Sequence, residues 1–134
     1  MKKSNVIGVL SPDGREWLMC LRKKDPYKGL YNLVGGKVEP GETGEEAAYR
    51  ELAEETGIGR AQIELTHVID FTYYLDDILL EFWAGRLKEP AALREEKNPL
   101  RWFPLTEDFF DASRFAGNGN IGHMLLQLRA AGMA

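Results

Sequence analysis

Three glutamates on one short segment constrain this chain more than any other feature. Glu51, Glu54 and Glu55 stand at positions i, i+3 and i+4, and on a helix of about 3.6 residues per turn these positions share one face. Carboxylates at this spacing repel one another and destabilise an isolated helix. The pattern therefore indicates a positive group among them, and carboxylate oxygens favour Mg²⁺ or Mn²⁺ over zinc or copper.

The residues before the glutamates predict a loop that leads into this helix. Residues 40–44 (PGETG) are typical of a loop, and a helical pattern starts at Glu45. Gly57 ends the helix, because glycine readily takes the left-handed cap. Gly35 and Gly36 permit close backbone approach, which leaves a carbonyl free to bind a cation or an amide free to meet a phosphate. The apolar side of the helix consists of Ala47, Ala48, Leu52 and Ala53.

The acidity of the chain is local. Between Gly36 and Ile58 seven acidic residues stand against two basic ones, whereas the rest of the chain has 15 basic and 14 acidic residues. This distribution suggests a cation site and not a generally acidic surface. The chain has no basic stripe, so we do not expect it to bind long nucleic acid.

Length and residue usage exclude several classes of protein. A chain of 134 residues fits a single domain spanning residues 1–134. No run approaches the roughly 20 apolar residues that cross a bilayer, and the run Val6–Leu10 is too short for a signal peptide. Cys20 is the only cysteine, which excludes an intrachain disulfide and makes a zinc site unfavourable. We expect a cytoplasmic protein without a membrane partner.

The remaining pattern predicts an α/β fold with a mixed sheet. Val6–Leu10 and Glu16–Leu21 flank a turn and predict an antiparallel hairpin. Further strands are expected at 30–34, 63–74, 78–87 and 100–105, and further helices at 107–110 and 121–131.

The spacing around the glutamates resembles a known signature. Gly36, five residues, Glu42, seven residues and then the run RELAEETGI at 50–58 are similar to a complete Nudix box, with no position departing from it. The box spans 36–58. The resemblance implies a Nudix-type α/β/α sandwich with a mixed β-sheet between helices, extending over the whole chain.

The resemblance also implies a chemistry. Nudix proteins hydrolyse a nucleoside diphosphate linked to another moiety and require Mg²⁺, with Mn²⁺ as a possible substitute. Glu42 and Arg50 are expected to pair across the loop, which makes Arg50 an orienting residue. The general base is expected to be Glu51 or a glutamate outside the box. The expected catalytic set is Glu51, Glu54, Glu55, Arg50 and Glu42, and the expected metal ligands are Gly36, Glu51, Glu54, Glu55 and, outside the box, Glu96, with Glu95 or the weaker Glu81 as alternatives.

The stretch around Asn32 resembles MutT-like enzymes that act on purine nucleoside triphosphates, oxidised bases included. By that resemblance Asn32 reads the purine, since an amide both donates and accepts hydrogen bonds, and Asn118 or Asn120 supplies a second polar contact. Lys23 is the predicted phosphate contact. The expected products are a nucleoside monophosphate and pyrophosphate.

Other functions stay open. Tyr73 and Tyr74 lie 15 and 16 residues beyond Ile58, near a tyrosine that marks diadenosine polyphosphate hydrolases. Removal of pyrophosphate from RNA 5′ ends ranks third. A nucleotide-sensing module without turnover is a further alternative, as is a purely structural or docking role for the acidic helix. The expected partner is a nucleotide, and the chain is expected to be a monomer or a homodimer.

Overall fold

A six-stranded sheet forms the centre of the protein in a computed structural model that describes residues 1–134. Two helices accompany it: α1 (Gly44–Thr56) lies between the third and fourth strands, and α2 (Asn120–Ala130) follows the last strand. The strands are β1 (Lys2–Leu10), β2 (Glu16–Leu21), β3 (Tyr31–Leu33), β4 (Thr66–Tyr73), β5 (Ile78–Arg86) and β6 (Leu100–Pro104).

The sheet is mixed, as the sequence predicts. The strand order is β3-β2-β1-β5-β4, and β6 pairs with β2. β1 runs parallel to β5 along its whole length, from Lys2 opposite Ile78 to Leu10 opposite Arg86, and the other pairs are antiparallel.

The two helices cover opposite faces of the sheet. Ala48 and Leu52 of α1 pack in one buried cluster with sheet residues that include Leu18 and Trp83. α2 contributes Ile121, Met124, Leu125 and Leu128 to a second cluster, which contains the sheet residues Trp17, Phe82 and Phe103. Because each face of the sheet buries a separate apolar cluster, the protein has three layers, and the predicted α/β/α sandwich is confirmed.

The backbone after β3 runs along β1 and so brings the paired glycines to α1. Ile7 N–H donates to the Val34 carbonyl and Asn5 N–H donates to the Gly36 carbonyl, both at 2.7 Å. A Cβ atom at Gly35 would collide with the backbone of Asn5. Glycine is therefore required where this segment crosses β1.

One predicted helix is wrong. Residues 107–110 form a bend and a turn, and aspartate side chains in and after this segment accept from nearby backbone amides. Asp108 Oδ1 accepts from Phe110 N–H and Asp111 Oδ1 accepts from Ser113 N–H, each at 3.0 Å. Such local bonds from aspartate compete with helix formation.

Two further details differ from the prediction. The strand expected from Ile63 starts at Thr66, since Ile63 forms only an isolated bridge with Leu87. The hairpin of β1 and β2 is paired only next to its turn, at Leu10 and Trp17, because the segment after β3 pairs with β1 beyond that point. Neither helix has the length and apolar character that crossing a membrane requires.

The layer formed by α1 can be tested with Leu52→Ala. Leu52 is fully buried, so truncation should lower the free energy of unfolding by about 2–5 kcal/mol. Leu126→Ala is the matched control, since Leu126 is half exposed on α2 and its loss should change stability little. Urea denaturation measures both variants. Equal losses for the two leucines would contradict the packing described here.

Candidate active site

The start and end of α1 fix which way its glutamates face. Thr43 and Glu46 form a reciprocal capping box: Thr43 Oγ1 accepts from Glu46 N–H at 3.1 Å, and Glu46 Oε1 accepts from Thr43 N–H at 3.0 Å. Gly57 caps the other end with a left-handed φ of 80°. The helix therefore has the bounds that the sequence indicates within one residue, and Glu51, Glu54 and Glu55 share one face.

Arg50 ties this face to the loop before the helix. Its guanidinium binds Glu42 in a bidentate pair, with Nε 2.7 Å from Oε2 and Nη2 2.9 Å from Oε1. The same group donates to the Lys37 carbonyl at 2.9 Å, to Glu51 Oε1 at 3.0 Å and to Glu54 Oε2 at 3.3 Å. Hydrogen bonds from Arg50 lower the pKa of Glu42 to about 2, so this pair stays charged at neutral pH.

Gly36 lies directly against Glu51. A Cβ atom at this position would collide with the Glu51 carboxylate, so any larger residue would force Glu51 out of its present position. Asn5 holds Gly36 from the other side: Asn5 Oδ1 accepts from Gly36 N–H at 3.0 Å, and Asn5 N–H donates to the Gly36 carbonyl at 2.7 Å. Sequence reasoning missed Asn5, because nothing local marks a strand residue as the partner of a distant loop.

Glu55 is buried at the same junction. Its Oε2 accepts from Gly35 N–H at 2.8 Å. Burial raises the pKa of Glu55 to about 7, the hydrogen bond from Gly35 opposes this rise, and the neighbouring Glu51 adds to it. A carboxyl with this pKa exchanges a proton near neutral pH.

The donor set suits a hard divalent cation. Two buried carboxylates, Glu51 and Glu55, lie against the backbone of Gly36 and Gly35, and the exposed Glu54 is linked to Glu51 through Arg50. A carbonyl oxygen has two lone pairs, so the Gly36 carbonyl can still coordinate a cation while it accepts from Asn5. Oxygen ligands from carboxylates and a backbone carbonyl fit Mg²⁺ or Mn²⁺.

The loop between β5 and β6 brings a lysine to this cluster. Lys97 Nζ lies 3.5 Å from Glu54 Oε2 and 3.7 Å from Glu51 Oε2. The glutamates proposed from this loop lie differently: Glu96 is exposed with Oε1 3.9 Å from Arg94 Nε, and Glu95 Oε2 accepts from Leu100 N–H at 2.6 Å. No short-range pattern in the sequence distinguishes Lys97 from these neighbours.

Glu81 lies at the other end of α1. It is buried, accepts from Trp83 Nε1 at 3.1 Å, and approaches Gly44 so closely that a Cβ atom there would collide with it. Its carboxylate lies within 4.8 Å of ligand atoms of His67 and Asp70 on β4. Glu81 thus belongs to a separate group beside the helix N-terminus.

Asn32, the predicted base contact, lies on the sheet face that α1 covers. Lys23, the predicted phosphate contact, does not. Asn32 is the cross-strand partner of Cys20, which packs in the cluster under α1, and cross-strand partners share a face. Arg22 lies two residues beyond Cys20, on that same face, and its charge helps to lower the pKa of Glu55. Lys23 is exposed. Because side chains two residues apart along a strand share a face, strand alternation from Cys20 would have predicted Arg22 as the candidate phosphate contact.

Asn118 and Asn120 lie where α2 begins. Asn118 is exposed and takes a left-handed φ of 52°. Asn120 donates to the Tyr73 hydroxyl through Nδ2. These residues belong to the α2 layer, on the other face of the sheet from the box glutamates.

Asn32 Oδ1 accepts from Leu33 N–H at 2.8 Å, so one hydrogen-bonding group of the Asn32 amide is already used within its own strand.

Comparison with known proteins places this arrangement in a family. The NUDIX domain family matches residues 1–118. The 8-oxo-dGTP diphosphatase of Escherichia coli K12 is 31% identical over 107 residues, which cover 78% of this chain and 83% of that protein. The chain belongs to the NUDIX domain family.

Two other proteins show how far the similarity extends. The ADP-ribose pyrophosphatase of Methanocaldococcus jannaschii is 39% identical over 92 residues, which are 60% of this chain but only 54% of that protein. The crystal structure of a C. elegans Ap4A hydrolase binary complex superposes with a TM-score of 0.75 at 20% identity, covering 97% of this chain and 96% of the other. At that identity the similarity shows a shared fold.

The raised pKa of Glu55 gives the stability of the protein a pH dependence. A glutamate with a pKa near 4.5 in the unfolded chain and about 7 in the folded protein stabilises the fold when protonated. This stability is lost as the pH rises between these values. In a chelator, the melting temperature should therefore fall by about 5 °C from pH 5 to pH 8.

Glu55→Gln should remove most of this fall, because glutamine stays neutral while keeping an oxygen for Gly35 N–H. Glu45→Gln, an exposed change on the same helix, should leave it in place. Differential scanning calorimetry between about pH 5 and pH 8 gives the melting temperature of each protein. A wild-type melting temperature that rises with pH in the same window would contradict the raised pKa.

Proposed function

We propose that the chain is a divalent-metal-dependent hydrolase of purine nucleoside triphosphates, with or without an oxidised base. The products are the nucleoside monophosphate and pyrophosphate. One observation carries the proposal: Glu51 and Glu55 lie against the Gly35–Gly36 backbone, and Arg50 links Glu51 to Glu54 on the same helix face.

The chemistry follows from this donor set. Glu51, Glu54, Glu55 and the Gly36 carbonyl would hold the cation. When bound, a divalent cation reduces the charge on a diphosphate and acidifies water. Arg50 positions Glu51 and Glu54, and the Glu42 pair keeps Arg50 in place.

Two roles remain to be assigned near the carboxylates: phosphate binding and removal of a proton from water. Arg22, whose charge helps to lower the pKa of Glu55, is the proposed phosphate contact. Glu51 is the candidate general base within the box, and its Oε2, opposite the oxygen that accepts from Arg50, becomes free to take a proton only when Lys97 is displaced.

Purine recognition rests on Asn32. It is the cross-strand partner of Cys20 on the α1 face, and since Oδ1 accepts from Leu33 N–H, the Nδ2 group is the donor that it can offer to a base. The name of the E. coli relative, 8-oxo-dGTP diphosphatase, supports a guanine-type base. A purine edge that both accepts and donates suits an amide.

A diadenosine polyphosphate is the second candidate substrate. Tyr74 is 82% exposed just beyond β4, and β4 ends at the same edge of the sheet as Lys2 and Ile78. An exposed aromatic ring at this end of the sheet suits stacking on a second adenine.

Glu54→Gln tests the hydrolase directly. The variant keeps the side-chain size but loses a charged ligand, so kcat on a preferred triphosphate should fall on the order of 100-fold. Glu45→Gln removes one charge from an exposed position of the same helix and should retain turnover. Full activity of Glu54→Gln, with the fold intact by circular dichroism, would contradict the proposed function.

Asn32→Ala tests the substrate class. Loss of the amide should reduce the ratio of purine to pyrimidine kcat/KM about tenfold or more, while turnover of the poorer substrates changes little. Asn118→Ala, measured in parallel, shows whether the α2 layer contributes to base choice. Equal losses on every nucleotide would remove Asn32 from base recognition.

A further inference from the structure

Lys97 is the one basic side chain outside the box that contacts two of its glutamates. Its Nζ lies 3.5 Å from Glu54 Oε2 and 3.7 Å from Glu51 Oε2. We propose that Lys97 is a resident counter-cation of the carboxylate cluster, which competes with the divalent cation for these oxygens and so sets the metal affinity. This proposal rests on the proposed function, since it requires that the cluster binds a metal.

The contacts of the two basic residues show which of them can give way. Arg50 is anchored outside the cluster, by its bidentate pair with Glu42 and by the Lys37 carbonyl. The ion pairs of Lys97 are with Glu51 and Glu54 alone. Arg50 can therefore stay in place while Lys97 moves.

The solvent exposure of Lys97 and its position in a loop also indicate that its side chain can move out of the cluster. The Lys97 side chain is 49% exposed and comes from a loop, whereas Glu51 is buried. A long flexible lysine at a solvent edge can leave toward water at low cost. The oxygens that it contacts, Glu51 Oε2 and Glu54 Oε2, belong to the same carboxylates that would hold the metal. One cluster of negative charge thus attracts both cations, and binding of one weakens binding of the other.

This competition predicts opposite effects on two measured quantities. Without Lys97, the glutamates lose a counter-charge, so the protein in chelator should become less stable. Metal binding should become tighter, because the metal no longer displaces an ammonium group. A lysine with a merely structural role would lower stability without tightening metal binding.

The experiment compares Lys97→Met with Lys88→Met, an exposed lysine on the same connection between β5 and β6. Both changes remove one positive charge and keep an unbranched side chain. Titration with Mn²⁺, followed by the electron paramagnetic resonance of the free ion, gives Kd without any substrate. Lys97→Met should bind Mn²⁺ about tenfold more tightly than wild type and melt a few degrees lower in chelator, whereas Lys88→Met should match wild type in both. Lys97→Arg should stay close to wild type, since it keeps the charge.

The outcomes separate the two proposals. If wild type binds Mn²⁺ and Lys97→Met binds it equally or more weakly, the role of Lys97 is overturned and the proposed metal site stands. If neither protein binds Mn²⁺ at millimolar concentration, the metal site and the role of Lys97 both fall. Lys97→Gln provides the same comparison should the methionine variant aggregate.

Discussion

The guanidinium of Arg50 is the interaction on which the rest of the site depends. It joins Glu42 in the loop, the Lys37 carbonyl beside Gly36, and Glu51 and Glu54 on α1. These contacts fix the helix, the loop and the glycine segment relative to one another. Bidentate arginine–carboxylate pairs are directional as well as strong, so one side chain sets the geometry of several ligands that would otherwise repel.

The site is assembled where three chain segments cross. β1 supplies Asn5, which holds Gly36; the segment after β3 supplies the glycines; and α1 supplies the carboxylates. Each close approach depends on an absent side chain, since a Cβ atom at Gly35 or Gly36 would collide with β1 or with Glu51. The electrostatic cost of the clustered glutamates is reduced by Arg50 and Lys97 from outside the acidic face, and by the Gly35 amide at Glu55.

Local sequence patterns predicted much of this arrangement. The spacing of Glu51, Glu54 and Glu55 gave their shared face, and the glycine at 57 gave the end of α1. What the sequence could not show depends on contacts between distant segments: Asn5 meets Gly36 across 31 residues, and Lys97 meets Glu51 although β4 and β5 lie between them in the chain. The false helix at 107–110 arose because apolar spacing gives no weight to the aspartates that bond their own backbone.

The most direct test of the central claim is the kcat/KM of the protein with Mg²⁺ over a panel of substrates. The panel contains canonical and 8-oxo purine triphosphates, pyrimidine triphosphates, ADP-ribose and a diadenosine polyphosphate. The account predicts turnover with preference for one purine triphosphate, release of pyrophosphate, and no turnover in chelator. Tight nucleotide binding without hydrolysis of any compound would contradict it and would indicate a nucleotide-sensing protein instead.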